Sequence, residues 1–104
     1  MRQAEVFVNG MPAGILREME KRKSYRFIYF SDYQGLPVSL TMPVRDEEYF
    51  FEKFPPFFEG VLPEGMLLES LLRLKKIDKQ DCFSQLMAVG NDLVGTVTVQ
   101  EIGP

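Results

Sequence analysis

A chain of 104 residues with 45% hydrophobic side chains has the length of one ordinary domain and enough apolar material for a core. Its 15 acidic and 12 basic residues leave a net charge of −3, the wrong balance for the counterion release that drives nucleic-acid binding, so no direct nucleic-acid partner is expected. With no histidine and a single cysteine, Cys82, the chain has neither an intrachain disulfide nor a cysteine-based structural zinc site, and it lacks the commonest general base.

Residues 4–10, AEVFVNG, alternate with Ala4, Val6 and Val8 on one side, which predicts a first strand. Asn9-Gly10 is a strong hairpin signal because both residues tolerate positive φ. MPAG widens the connection, Pro12 suits a turn or strand edge, and GILREME returns as a second strand. The basic run Arg17, Lys21, Arg22, Lys23 and Arg26 is interrupted by Glu18 and Glu20 and reads as a solvated hairpin end. SYRFIYF is the clearest strand, with Tyr25, Phe27 and Tyr29 on one face. After a loop, SDYQGLP, the alternation of Val38, Leu40 and Met42 in VSLTMPV predicts a fourth strand ended by Pro43.

The apolar period then turns helical. Pro55-Pro56 can open a short turn over FFEGVL, stopped by Gly60 and Pro63. A longer helix is expected from about Glu64 to Ile77, with Leu67, Leu71 and Leu74 in one row and Leu68 and Leu72 in the next, a wide stripe for burial. Lys75 and Lys76 suit its negative end. Asp78 is placed to cap the next helix through the amide of Asp81, Phe83, Leu86 and Met87 face inward, and Gly90 suits a left-handed stop. NDLVGTVTVQEI closes the chain as a strand, with Gly95 marking a bulge or close approach. The order predicts one α+β domain over residues 1–104. Its sheet is small, antiparallel and curled or barrel-like, of about five strands, with two to three helices inserted before the last.

Catalytic readings lack material. There is no Walker-type phosphate loop, and the run Asp46, Glu47, Glu48 reads as solvated loop and not as a metal site. Glu59 and Glu64 flank Gly60 and Pro63, but 104 residues can hardly build both a core and the cleft that paired carboxylates need. Either glutamate can instead satisfy amides at a helix start. Met66 either completes the leucine stripe or stands out as a flexible contact residue. Cys82 has no histidine to activate it and reads as an inert thiol. No catalytic, cofactor-binding or metal-binding residue is assigned. MRQAEVFVNG lacks a signal-peptide core and no segment approaches about 18 uninterrupted apolar residues, so a cytoplasmic location with no membrane contact is expected.

Three pieces in order, VFVNGMPAGIL, FFEGVLPEG and FSQLMAVGNDLVGTVTV, resemble the N-terminal subdomain of HipA-like toxin kinases. The sequence has no counterpart of the kinase body, with its catalytic base, magnesium ligands and nucleotide loop, and so is similar to the small HipS-like subunit of split toxin–antitoxin systems. The resemblance implies a non-enzymatic partner, without cofactor, that binds and restrains a separately encoded HipA-like Ser/Thr kinase. A DNA-binding HipB-like subunit would join through the complex. The alternative it leaves is a structural adaptor that completes the kinase fold without inhibiting it. It also implies that the segment around LPEGM faces the kinase, which makes Phe58, Leu62, Pro63, Glu64, Gly65, Met66 and Glu69 the candidate partner-binding residues.

Overall fold

The computed structural model describes residues 1–93 and 95–103; Val94, within the segment read as the last strand, and Pro104 lie outside the described residues. Five strands form one open sheet: β1 (Gln3–Val8), β2 (Met11–Glu20), β3 (Ser24–Tyr29), β4 (Tyr49–Phe51) and β5 (Val97–Ile102). Their order is β4-β3-β2-β1-β5, with every neighbouring pair antiparallel. Among the described residues three helices, α1 (Pro56–Gly60), α2 (Gly65–Lys75) and α3 (Cys82–Val89), precede β5, and a 3-10 turn, Gly90–Asp92, links α3 towards it. This is the α+β arrangement expected, with the sheet open and not closed into a barrel.

The alternation in β1 and β3 does what it predicts. Ala4, Val6 and Val8, and Tyr25, Phe27 and Tyr29, are all buried on one face. Asn9 and Gly10, at φ 52° and 79°, make the two-residue turn between β1 and β2. Pro12 lies opposite Phe7 beside a register slip, and the ladder to β3 begins only at Gly14, so its missing N–H costs no bond there.

Residues 38–43 are not a strand. The Met42 amide donates to the Ser39 carbonyl at 3.0 Å and closes a turn that leaves Leu40 95% exposed, while Val38 and Met42 point into the core. The backbone groups that a ladder would pair go to tyrosines instead. The Tyr29 hydroxyl accepts from the Val38 amide at 2.8 Å and donates to the Met42 carbonyl, Tyr33 donates to Leu36, and Tyr49 donates to Pro43. The fourth strand is Tyr49–Phe51, paired with Tyr25–Phe27.

In the helical half, Pro56 opens α1 and Phe58 fills the core against Phe27, with ring centroids 6.2 Å apart. Helix α3 is capped by Asp81, whose carboxylate accepts from the Ser84 amide at 3.2 Å. Asp78 contributes a backbone carbonyl to the Asp81 amide and turns its own carboxylate onto the Gln80 amide. Phe83 and Leu86 are fully buried and Met87 is half-buried. Gly90 is right-handed, at φ −53°, so conformation does not explain it. Space does: a Cβ there would lie 2.1 Å from the Val99 carbonyl oxygen. Gly95, at φ 111°, precedes β5 instead of interrupting it.

The largest departure is α2. No residue in it is buried: Leu67 and Leu74 are 74% and 79% exposed, and Leu68, Leu71 and Leu72 are only half-buried. The helix ends on left-handed Lys76, at φ 54°, where the Ile77 amide reaches back to the Leu72 carbonyl at 3.0 Å.

Candidate partner-binding surface

Beyond α1 the Val61 and Leu62 amides fold back onto the Phe58 and Glu59 carbonyls at 3.3 and 3.2 Å, which turns the chain towards α2. Glu64 is extended, and Gly65 then takes φ +58°, a conformation that would strain any residue with a Cβ. That reversal starts α2 with Met66 84% exposed, so Met66 does not complete a buried leucine stripe. Glu64 occupies the N-cap position, but its carboxylate makes no capping bond. Instead its backbone carbonyl accepts from the Leu68 amide at 3.4 Å. The carboxylate is therefore displayed and not spent on the helix start.

Of the seven residues implicated by sequence, six are at least partly accessible: Leu62–Met66 in one run, and Glu69 further along α2, about 160° around it from Leu67. Leu62 and Pro63 are half-buried, and Glu64, Gly65, Met66 and Glu69 are exposed. Phe58 is the correction: it is completely buried between Phe27 and Phe57 and supports the surface from beneath, out of a partner's reach. Next to Leu67 runs a groove of about 440 Å³ walled by Val61, Leu62, Pro63, Leu67, Val89 and Leu93, with Asp92 also in its lining. Apolar walls with a few displayed carboxylates at the margin suit the desolvation of another macromolecule's side chains. A larger depression of about 570 Å³, near Met11, Phe30 and Tyr33, likewise has one lining carboxylate, Asp32, but no helix residue in its lining. Among the described residues no cluster of three or more His, Cys, Asp or Glu side chains could hold a metal ion, and no helix is long and apolar enough to cross a membrane.

A second cluster, absent from the sequence reading, fixes the frame that carries this surface. Arg2 donates to both carboxylate oxygens of Glu18 at 2.7 and 2.6 Å, to both of Asp81 at 2.9 and 3.3 Å, and to the Ser84 hydroxyl at 2.7 Å. Its guanidinium also lies 4.9 Å from the Phe83 ring centre. Glu18, only 4% exposed, accepts a further bond from the Arg22 amide at 3.1 Å. Burial alone would raise both carboxyls. The bonds from Arg2 and from the Ser84 amide and hydroxyl outweigh it at Asp81 and hold that group down to about 2, and Arg2 with the Arg22 amide also lowers Glu18. The Glu18 hydrogen bond, with Asp81 behind it, pushes the guanidinium higher still. These partners are 16 and 79 residues apart, beyond the reach of any local signal except a charged residue alternating inward on β2.

The basic run does not form a patch. Arg17 donates to Gln3, Arg22 approaches Asp78 and Asp81, and Arg26 pairs with Glu48 over the Phe50 ring. Burial, with Glu59 and Asp81 nearby, pushes the half-buried Cys82 thiol up and away from the reactive thiolate.

The HipA N-terminal domain family matches residues 4–100 of this chain. A solved structure described as the N-terminal domain of HipA toxin is similar to it with a TM-score of 0.78 and 31% identity, over 99% of this chain and 94% of that one. A Haemophilus influenzae protein described only as uncharacterized is 34% identical over 101 residues, 97% of this chain and 93% of the relative.

Proposed function

We infer the function from one premise: this chain belongs to the HipA N-terminal domain family. It acts as a non-enzymatic module that binds a separately encoded HipA-like Ser/Thr kinase and restrains it. The observation that carries this reading is α2, an amphipathic helix whose apolar side stays in solvent next to an apolar groove. Burying such a side is what a helix of this composition gains from tertiary contact, and within this chain Leu67 and Leu74 gain almost none of it. Met66 and the displayed carboxylate of Glu64, at the start of the helix, form the rim that sets register on the partner.

Co-expression with a neighbouring HipA-like kinase tests the reading. The two proteins co-elute at micromolar concentration, and Met66→Asp weakens the complex by about 10- to 100-fold because it buries an unpaired charge. Separate elution of the wild-type proteins refutes it. The exposure of α2 along its whole length also favours a second reading, an adaptor that supplies one layer of the kinase's own core. Autophosphorylation separates the two: restraint lowers it, whereas scaffolding leaves it unchanged or raises it.

A further inference from the structure

We propose that, in the absence of its partner, the apolar side of α2 is covered by α2 of a second copy of this chain, in an antiparallel pair related by a two-fold axis. At about 100° per residue, Leu67, Leu71 and Leu74 fall within about 60° of arc. They form a narrow seam, and its two ends, Leu67 and Leu74, are the most exposed leucines of the helix. In an antiparallel pair centred near Ser70 and Leu71, Leu67 of one copy meets Leu74 of the other. Leu67 also forms one wall of the groove shared with Val61, Leu62, Pro63, Val89 and Leu93, so each Leu74 enters the groove of the opposite copy. Ser70, small and exposed, lies where the two helices cross and permits close approach.

Charge selects the antiparallel direction. Glu64 stands at the N-terminal end of the helix, and Arg73, Lys75 and Lys76 at the C-terminal end. Among the described residues none of these four takes part in an ion pair within the chain. Antiparallel packing sets Glu64 of each copy against the Lys75 end of the other, and it opposes the two helix dipoles. A parallel pair would set like charges together. A contact surface of this kind, identical on both copies, is the commonest route to a closed dimer. A helix of eleven residues buries less than the roughly 1,200 Å² of a stable interface, so the dimer is weak, with a dissociation constant on the order of 100 μM. Self-association stands independently of the kinase reading. Its regulatory consequence rests on that reading: the dimer hides the surface that the kinase needs, so accumulated free subunit lowers its own availability.

Sedimentation velocity of the full chain from about 10 μM to about 1 mM tests this. The weight-average mass rises from one chain towards two across that range. Leu74→Asp keeps it at one chain, and since Leu74 packs on almost nothing within its own chain, the far-ultraviolet circular dichroism stays that of the wild type. Glu64→Lys and Lys75→Glu each weaken the dimer about tenfold, and the double variant recovers most of the loss. A single chain at about 1 mM, or a dimer indifferent to Leu74→Asp, overturns the proposal, and a double variant no better than either single one overturns the antiparallel geometry. Kinase pull-down at a few micromolar, where the free chain is single, reports on kinase binding alone, so failure of one reading is distinguishable from failure of the other.

Discussion

Arg2 joins β1, β2 and the start of α3 through two carboxylates, and that gives a single side chain unusual leverage. Arg2→Met leaves Glu18 and Asp81 facing each other with only the more distant Arg22 guanidinium, 3.8 Å from Asp81, as a cation. It should cost about 2–3 kcal/mol, which lowers the melting temperature of a chain this size by about 10–20 °C. The acid response has a definite sign. Glu18 and Asp81 both titrate below their ordinary range when folded, and Asp81 does so at about 2. Their contribution is therefore complete only above about pH 5.5, where both unfolded carboxyls are ionised, and is lost progressively as the pH falls through their ordinary range towards 2. Thermal melts at pH 5, 3.5 and 2 should descend steeply in the wild type and less steeply in Asp81→Asn. Cys82 gives a complementary check: its thiol, pushed up by burial, should react with a disulfide reagent at pH 7 more slowly than free cysteine does.

At the level of elements, what the sequence announced and what it concealed have separate causes. β1 and β3 were legible because strict alternation has one consistent outcome when one face of a sheet is covered. Residues 38–43 alternate equally well, yet the Ser39–Met42 turn throws Leu40 outward and tyrosine hydroxyls take over the backbone bonds, a long-range device no local pattern reports. For α2 the period is legible in the sequence and the burial is not. Spacing tells which side of a helix is apolar; it does not tell whether the cover belongs to the same chain. The same gap ran through the site, where LPEGM was recognisable as a surface while Phe58, three residues earlier than Val61, belonged to the core. The contrast is measurable. Leu74→Gln should change unfolding free energy by no more than about 0.5 kcal/mol, whereas Leu86→Ala should cost about 2–5 kcal/mol. Gly90→Ala must displace either the 3-10 turn or the Val99 carbonyl and should cost about 1–3 kcal/mol in chemical denaturation.

For the molecule as a whole, the sheet holds together through β1, β2 and β3, and the helical segment is laid across one face with α2 outermost. That division separates a packed frame from an exposed apolar helix, so substitutions along the outer side of α2 should leave the fold intact. Gly90 adds a consequence at the far border of the sheet. The Asn9 amide bonds the Thr96 carbonyl, so in β5 the backbone groups of Thr98 and Gln100 turn towards β1, and those of Val99 turn away from it. The backbone at Gly90 sits directly against that outward carbonyl, too close for even a methyl group to intervene. A foreign strand trying to zip onto β5 would have to evict the 3-10 turn first, and the opposite border offers only the three residues of β4. Among the described residues a protein that keeps a greasy helix in water thus offers only short stretches of open strand border, which limits strand-on-strand growth of the kind that builds amyloid.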